Sequence, residues 1–355
     1  MAVLEPSTDL ARVVNLHEFE PLARQAMDDA SFDYVAGGSW DEISLATSVE
    51  AWRRRTVRPR VLVDVSTVDA ATTFLGRASA MPVAIAPMAV HGLAHRDGEV
   101  AMARAAAAAG IPFTLSTMST RSIEEVAAAA PDAARWFQLY VQADPRRTRG
   151  LVERADAAGY GALVVTVDLP VLGYRERDRR NAFELPALGN FADAAGELGR
   201  DEDWLSRSIT WADLATIRSW APDLPLVLKG ILTAEDARLA VEHDADAIVV
   251  SSHGARQLDR VPATVDVLED VVDAVRGRTE IWVDGGVRRG LDVAIALGLG
   301  ARGVLLGRPV LWALAVGGQA GVERALAIVR EELEIALALL GAPTPRDVTR
   351  AHIGG

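Results

Sequence analysis

One stretch of the chain decides how the fold is interpreted, and it reads Ser251-Ser252-His253-Gly254-Ala255-Arg256-Gln257-Leu258-Asp259. It follows Ala247-Ile248-Val249-Val250, an apolar β-branched run that is typical of a buried strand. His253 and Arg256 therefore come just after the carboxyl end of a strand. An imidazole can accept a proton near neutral pH, and a guanidinium can hold a carboxylate through two parallel hydrogen bonds. Either residue alone is more often a loop cap or a solvated side chain, but the pair favours chemistry at a carbon next to a carboxylate.

Further apolar runs, each followed by an alanine-rich helical stretch, predict a regular series of strands and helices. The eight predicted strands are Val83–Ala86, Phe113–Leu115, Trp136–Tyr140, Leu163–Val167, Leu226–Leu228, Ile248–Val250, Ile281–Val283 and Val304–Leu306. No hairpin signal separates these units, so the strands should be parallel. Eight is the number that closes into a (β/α)8 TIM barrel, and an open doubly wound sheet is the alternative. In a closed barrel the residues that follow the strands share one mouth, so residues distant in sequence should converge.

We predict a single domain over residues 1–355, with an N-terminal helical extension at 1–80, the barrel at 81–320 and C-terminal helices at 321–355. In the extension, apolar spacing predicts one helix from Leu16 to Ala30, then an aromatic segment, Phe32–Gly38, that ends in a turn. An arginine-rich link should follow at 44–65. The segment at 170–207 lacks periodicity, which is typical of a lid or a disordered loop.

The composition excludes several classes of protein. Cysteine is absent, so disulfides, thiolate catalysis and cysteine-ligated metal sites are excluded, and we predict no metal site. The formal net charge of −12 argues against nucleic acids and anionic membranes as partners. The N-terminus lacks the basic and apolar regions of a secretory signal, and no apolar run reaches the roughly 18 residues of a membrane-spanning helix. We therefore expect a cytoplasmic protein without a membrane anchor.

Lys229 is the only lysine in the chain, and every other basic residue is an arginine. It stands at the end of an apolar run, Leu226-Val227-Leu228-Lys229-Gly230, that predicts a buried strand. A single lysine that is present by chance would more often lie on the protein surface. The position therefore indicates a site that requires a compact ammonium group rather than a planar guanidinium.

Glycine turns that carry an arginine follow the last two predicted strands. They read Asp284-Gly285-Gly286-Val287-Arg288 and Gly307-Arg308-Pro309. Glycine lets backbone N–H groups approach a phosphate, and a helix N-terminus favours the anion, so the two turns together predict a phosphate site. Other strand ends carry polar groups that could bond the edge of a flat heteroaromatic ring, namely Ser116, Gln138, Thr166 and Lys229. Flavin mononucleotide (FMN) needs this combination, with Asp284 as an acceptor for ribityl hydroxyls and a cation beside the pyrimidine ring.

The sequence resembles the FMN-dependent 2-hydroxy acid oxidase and dehydrogenase family, which includes glycolate oxidase, lactate oxidase, mandelate dehydrogenase and flavocytochrome-type lactate dehydrogenase. The resemblance runs from Leu16 to about Ile353. The motifs that carry it are Ser251-x-His253-Gly254-x-Arg256-Gln257-Leu258-Asp259, Asp284-Gly285-Gly286-Val287-Arg288-Arg289-Gly290, Leu228-Lys229-Gly230 and Phe137-Gln138-Leu139-Tyr140.

The resemblance implies a role for each candidate residue. His253 would be the catalytic base, and Asp168 behind it would stabilise its imidazolium form. Substrate would be held by Tyr34, Tyr140, Arg175 and Arg256. Lys229 would lie beside N1 and the C2 carbonyl of the flavin. The remaining flavin contacts would come from Pro87, Met88, Ala89, Ser116, Gln138, Tyr140, Thr166, Ser251, Asp284, Gly285, Gly286, Arg288, Gly307 and Arg308.

The implied activity is the FMN-dependent oxidation of an (S)-2-hydroxy acid to the 2-oxo acid, with lactate and mandelate among the candidate substrates. Ala89 resembles the oxidases more than the dehydrogenases that have glycine there, which favours molecular oxygen as acceptor and hydrogen peroxide as product. Met88 and Met118 depart from the glycolate oxidase pattern of threonine and tryptophan, so the pocket should admit a larger or apolar side chain. The resemblance also implies a homotetramer. The alternatives are a dehydrogenase of the same family with another acceptor, an FMN-barrel isomerase or non-redox flavin protein, and a barrel without catalysis.

Overall fold

The computed structural model describes residues 9–194 and 204–354. Helices and short antiparallel strands precede the barrel. They are α1 (Phe19–Ala26), α2 (Asp29–Ala36), α3 (Ile43–Arg54), β1 (Thr56–Val57), β2 (Thr72–Phe74) and β3 (Arg77–Ser79). The strands β2 and β3 form a hairpin, whereas β1 pairs with the last strand, β12 (Ile353–Gly354). The extension is therefore tied to the end of the chain.

The prediction of one helix from Leu16 to Ala30 is wrong. The backbone becomes extended at Met27, and the Asp28 carboxylate accepts a hydrogen bond from the backbone N–H of Ser31, 2.9 Å away. This side-chain cap begins a new helix, α2, because it satisfies a donor that has no partner inside the helix. The predicted aromatic segment accordingly lies on α2, which carries Tyr34. The predicted link at 44–65 is helical in its first half, where it forms α3.

Eight parallel strands close into the barrel, so the alternative of an open sheet is excluded. The strands are β4 (Val83–Ile85), β5 (Phe113–Ser116), β6 (Arg135–Leu139), β7 (Leu163–Thr166), β8 (Leu226–Ile231), β9 (Ala247–Val250), β10 (Glu280–Asp284) and β11 (Gly303–Leu306). The ring of strands closes because the last barrel strand, β11, pairs with the first, β4, in parallel register, with Leu305 opposite Ala84. The predicted barrel is confirmed, and each predicted strand overlaps an observed one.

Helices alternate with these strands around the outside of the barrel. They are α4 (Gly98–Ala109), α5 (Ile123–Ala129), α6 (Pro145–Ala157), α7 (Glu176–Arg180), α8 (Asp213–Ser219), α9 (Ala234–Glu242), α10 (Thr264–Val275), α11 (Gly290–Gly298) and α12 (Arg308–Leu340). The long helix α12 crosses the predicted boundary between barrel and tail. Its backbone leaves helical geometry at Gly317 and Gly318, just before that boundary.

The end of the barrel opposite the strand C-termini is filled by aromatic rings. Trp136 and Trp282 stack with ring centroids 4.6 Å apart. Phe74 from the β2–β3 hairpin meets both rings edge-on, at 5.7 and 5.4 Å. This layer buries the three side chains almost completely and leaves the other end of the barrel to form the site.

The segment between β7 and β8 contains α7, which is fastened to the extension. Arg177 pairs with Glu42 at 2.5 Å, and the Asn181 amide donates to Asp33 at 2.9 Å. The prediction of a lid or a disordered loop at 170–207 falls partly on residues 195–203, which lie outside the described residues. Across 9–194 and 204–354, no helix combines the length and hydropathy needed to span a bilayer.

Candidate active site

A cavity of about 730 Å³ opens at the carboxyl ends of the barrel strands. Most of the predicted site residues line it, namely Tyr34, Pro87, Met88, Ala89, Tyr140, Arg175, Lys229, His253, Arg256, Asp284, Gly285, Gly286, Arg288, Gly307 and Arg308. The structure thus brings together residues that lie far apart in the sequence. The other predicted residues, Ser116, Gln138, Asp168, Thr166 and Ser251, lie behind this lining.

His253 has a different partner at each ring nitrogen. Its Nδ1 lies 2.9 Å from Asp168 Oδ1, and its Nε2 lies 3.2 Å from the Tyr140 hydroxyl oxygen. Positive φ angles at His253, Gly254 and Ala255 turn the chain sharply after β9 and direct the imidazole into the cavity. A carboxylate at Nδ1 keeps the proton there, so Nε2 is the nitrogen that can accept a proton. Burial lowers the pKa of His253 although the charge of Asp168 opposes this effect, so the neutral base is favoured.

Asp168 and Tyr140 hold opposite protonation states beside this base. Burial works to raise the pKa of Asp168, but the charge and hydrogen bond of His253 and the charge of Lys229 outweigh it. The pKa of Asp168 therefore stays below its ordinary value, and the group is a carboxylate. Burial, together with the charge of Asp168, raises the pKa of Tyr140 well above its ordinary value. Its hydroxyl is thus neutral and can donate a hydrogen bond.

Two guanidinium groups lie side by side at the edge of the cavity. Arg256 donates to the carbonyl oxygens of Tyr34 (2.5 Å) and Gly37 (3.0 Å), and its guanidinium carbon lies 4.8 Å from the centre of the Tyr34 ring. Arg175 donates to the carbonyl oxygen of Arg256, at 3.3 Å. Burial and the neighbouring charge of Arg175 lower the pKa of Arg256 to about 10. A buried cation whose charge is this poorly compensated is suited to an anionic ligand.

Asp178 lines the same cavity and was not predicted from the sequence. Its Oδ2 lies 4.0 Å from Arg175 Nη1, and burial raises the pKa of this carboxyl group. The spacing of Asp178 three residues after Arg175 places both on one face of α7, which is the signal that could have identified it. The prediction also did not assign two charged lining residues, Arg179 and Glu184, or several apolar ones, among them Leu169, Leu172, Phe183, Leu185 and Trp204.

Lys229 lies on β8 at the base of the cavity. Its Nζ donates to Ser251 Oγ at 2.9 Å and lies 3.4 Å from Asp284 Oδ2. The second oxygen of Asp284, Oδ1, is buried and has no hydrogen-bond partner among the residues that the structure describes. A buried acceptor without a partner is costly, so Asp284 is suited to a ligand that donates hydrogen bonds.

A chain of hydrogen bonds crosses the barrel beneath the cavity. Ser116 Oγ donates to Gln138 Oε1 at 3.0 Å, and Gln138 Nε2 donates to Thr166 Oγ1 at 3.0 Å. These bonds link the ends of β5, β6 and β7. They explain why the three side chains lie behind the lining rather than on its surface.

The turns after β10 and β11 carry positive charge and exposed backbone donors. Arg308 donates to the carbonyl oxygens of Val35 (2.9 Å) and Gly37 (2.8 Å), which are neutral acceptors. Burial, together with the charges of Arg256 and Arg288, lowers the pKa of Arg308 to about 9. Gly286 has a φ of +81°, a conformation that favours glycine, and Gly307 caps the N-terminus of α12. Cations, glycine backbone and a helix N-terminus together form a site suited to a phosphate.

A closed (β/α)8 barrel that gathers buried arginines, glycine turns, a lone lysine and a histidine at one mouth is suited to an enzyme that binds a phosphate-bearing cofactor. A sequence model of the FMN-dependent dehydrogenase family matches residues 23–354. The chain is 48% identical to an L-lactate oxidase from Nostoc sp., over 98% of this chain and 99% of that protein. It is 46% identical to a glycolate oxidase from Spinacia oleracea, over 96% of this chain and 95% of that protein. The chain belongs to the FMN-dependent dehydrogenase family.

Solved structures agree with this membership. The crystal structure of a mandelate oxidase matches with a TM-score of 0.90 at 43% identity, covering 96% of this chain and 98% of that one. A point mutant of an active chimera of (S)-mandelate dehydrogenase matches with a TM-score of 0.91 at 35% identity, covering 96% of this chain and 99% of that one.

Within the described residues, no group of three or more histidine, aspartate and glutamate side chains could hold a metal ion.

Proposed function

We propose that this protein oxidises an (S)-2-hydroxy acid to the 2-oxo acid and uses molecular oxygen as the acceptor, with hydrogen peroxide as the second product. The observation that carries the proposal is the position of His253. Its Nε2 faces the cavity next to the Tyr140 hydroxyl, and two guanidinium groups lie at the edge of the same cavity. A base beside a carboxylate-binding pair is the arrangement needed to act on the carbon that bears the hydroxyl group.

FMN is the cofactor of this family, and the cavity contains groups that fit it. The phosphate would lie at the turns after β10 and β11, held by Arg288, Arg308 and the backbone of Gly286 and Gly307. The unpartnered Oδ1 of Asp284 would accept a hydrogen bond from the ribityl chain. The remaining contacts to the ring system would come from Pro87, Met88, Ala89, Ser116, Gln138, Tyr140, Thr166, Ser251, Lys229 and Gly285. When bound, FMN accepts the electron pair of the substrate and passes it to oxygen.

Arg256 and Arg175 would hold the substrate carboxylate. Both guanidiniums reach the cavity, and Arg256 is fixed by two carbonyl oxygens and by the face of Tyr34. Because burial has already removed part of the water around the Arg256 cation, an incoming carboxylate restores a charge partner at little further desolvation cost to the arginine. This contact orients the hydroxyl carbon toward His253 and Tyr140.

His253 would then remove a proton at Nε2 as the hydroxyl carbon is oxidised. The proton creates an imidazolium, which the Asp168 carboxylate stabilises across the 2.9 Å contact at Nδ1. The neutral Tyr140 hydroxyl would donate a hydrogen bond to the substrate oxygen that becomes the carbonyl. The substrate loses two electrons and two protons. His253 would receive one proton, and the electron pair together with the second proton would pass to the bound FMN.

Anaerobic reduction of the bound flavin tests this proposal. The FMN-loaded protein, mixed without oxygen with (S)-lactate or (S)-mandelate, should lose its absorbance near 450 nm, and air should restore it with release of hydrogen peroxide. His253→Gln should bind FMN and slow bleaching about 10²–10⁴-fold. Failure of every 2-hydroxy acid to bleach the protein would refute the proposed activity, and bleaching without peroxide on reoxidation would refute oxygen as the acceptor.

We also infer a homotetramer. The segment after β1 exposes Val61 and Leu62 to 81% and 103% of their full accessible surface. The backbone N–H of Arg60 donates to the carbonyl of Leu340 at 3.0 Å, which brings this segment to the end of α12, where Leu339 is also exposed. Clustered exposed apolar side chains are typical of a protein–protein interface.

A cytoplasmic location stays a prediction, and cell fractionation is the measurement that checks it.

A further inference from the structure

The cavity lining combines charged and apolar side chains around His253. Arg175 and Arg256 supply its cations, with the Tyr34 ring under Arg256. The Tyr140 hydroxyl oxygen lies 3.2 Å from His253 Nε2, and the two rings are nearly parallel, with centroids 6.2 Å apart. With the substrate carboxylate at the arginines and its hydroxyl carbon at His253 Nε2, the apolar lining next to Tyr140 is the surface left for the substrate side chain.

Trp204 is the apolar residue that lies next to Tyr140. The two rings meet edge-on, with centroids 6.2 Å apart and planes at 74°, and both line the cavity. Trp204 comes from the returning part of the long segment between β7 and β8, far from Tyr140 in sequence. The contact thus adds an indole ring to this apolar lining.

The main chain fixes the position of Trp204. The N–H of Ala143 donates to the carbonyl of Trp204 at 2.8 Å, and the N–H of Ser206 donates to the carbonyl of Val141 at 2.9 Å. Between these bonds, Leu205 forms an antiparallel bridge with Gln142. Backbone pairing of this kind holds the indole at a set place relative to β6, so Trp204 is a preorganised wall rather than a loosely placed side chain.

Met118 lines the same cavity and follows β5, the strand next to β6. Its backbone N–H donates to Ser116 Oγ at 3.1 Å, and the hydroxyl of the preceding residue, Thr117, accepts from the backbone N–H of Tyr140 at 3.0 Å. Met118 is 5% exposed. A flexible thioether and an indole in one cavity lining give an apolar surface that can adapt to a large side chain.

We infer that Trp204, together with Met118, determines substrate preference by packing against the substrate side chain, and that the preferred substrates are 2-hydroxy acids with an aryl or long alkyl side chain. The inference rests on the proposed function, because it assumes that the arginines bind the carboxylate. An aromatic contact contributes only when the side chain is long enough to reach it. Short substrates such as lactate should therefore depend on Trp204 much less than substrates with an aryl side chain do.

Kinetics of Trp204→Ala and Trp204→Phe with two substrates test this inference. For Trp204→Ala, kcat/KM for (S)-mandelate should fall by about 10-fold or more, mainly through KM, whereas kcat/KM for (S)-lactate should fall much less, so that the preference for mandelate over lactate is reduced. Trp204→Phe should recover most of the loss, because it restores an aromatic surface. Trp211→Ala is the matched control, since Trp211 stacks on His243 (5.5 Å) and does not line the cavity, and it should preserve the substrate ratio.

The outcomes separate this inference from the proposed function. An equal loss for both substrates in Trp204→Ala would mean that the indole only positions Tyr140, and no loss for either would mean that the substrate does not reach it. Both results overturn the inference while the wild-type protein still oxidises 2-hydroxy acids. A wild-type protein whose flavin is bleached by neither acid would instead refute the proposed function.

Discussion

At the scale of single residues, His253 is subject to two opposing effects. Burial lowers its pKa and keeps the ring neutral, while the Asp168 carboxylate stabilises the charged ring that forms after proton transfer. The first effect maintains a base at neutral pH, and the second lowers the cost of using it. Activity that needs the neutral ring should be lost only as the pH falls through this lowered pKa.

Asp168→Asn should separate the two effects. The amide cannot stabilise the imidazolium, so the rate of flavin reduction should fall by about 10²–10⁴-fold. Loss of the negative charge also lowers the pKa of His253 further, so the acidic limb of the kcat/KM profile should move to lower pH. Stopped-flow flavin absorbance between pH 4 and 9 measures both. An acidic limb that stays in place would contradict the assignment of this limb to His253.

Residues with an unusual sequence context could be predicted, and residues without one could not. Lys229 is the only lysine and ends a strand, and the structure places it at the base of the cavity. Asp178 and Trp204 also line the cavity, but both lie in the long segment between β7 and β8. For Asp178 the only local signal is its spacing of three residues after Arg175. The position of Trp204 depends on tertiary contacts, such as the backbone bond from Ala143, and such contacts leave no local pattern in the sequence.

At the scale of elements, β8 contains an irregularity that serves the site. The register with β9 shifts between Lys229 and Ile231, and the intervening Gly230 has a φ of +113°. A Cβ atom at Gly230 would lie 2.6 Å from both Cβ and Cγ of Asp168. The bulge therefore lets β8 approach Asp168 closely while Lys229 reaches Ser251 and Asp284.

Gly230→Ala should reduce activity and also lower stability, because a φ of +113° is a strained conformation for alanine. The added methyl group must displace Asp168 from His253, and a displacement of about 1 Å can cost about 10²-fold in rate. Gly150→Ala is the control, because a Cβ at this position in α6 meets no atom within 4 Å. Flavin reduction rates and thermal unfolding measure the two effects. Gly150→Ala should keep full activity and gain about 0.5–1 kcal/mol in stability. Full activity in Gly230→Ala would contradict the role of the bulge.

Element boundaries could be predicted where periodicity or capping is strong. The barrel strands are short apolar runs and were located to within a few residues. The break between α1 and α2 was missed because apolar spacing continues past Met27, whereas the break depends on the Asp28 cap. The β2–β3 hairpin was missed because its turn has Leu75 and Gly76 at positive φ, and leucine is a rare residue in such a turn.

At the scale of the whole molecule, closure of the barrel is what unites the site. His253 follows β9, Tyr140 follows β6 and Asp168 follows β7, and their contacts need all three strands in one ring. The closed ring could be predicted because the strand count and the parallel order restrict the possible architectures. The N-terminal extension adds contacts that the barrel does not supply. The carbonyl oxygens of Tyr34 and Gly37 accept hydrogen bonds from Arg256 and fix its side chain.

Leu62→Asp tests whether the exposed apolar segment joins copies of the chain. Leu62 is fully exposed at a φ of +60°, where aspartate is better tolerated than leucine, so the variant should fold. A charge placed in an apolar interface is costly, and we expect the mass measured by light scattering to fall from that of four chains to that of fewer. Val14→Asp is the control. Val14 is 63% exposed, and its neighbour Val13 contacts Arg324, which lies about 22 Å from Leu339 along α12. A tetramer that persists in Leu62→Asp would exclude this segment from the interface, and a wild-type protein with the mass of one chain would refute the tetramer itself.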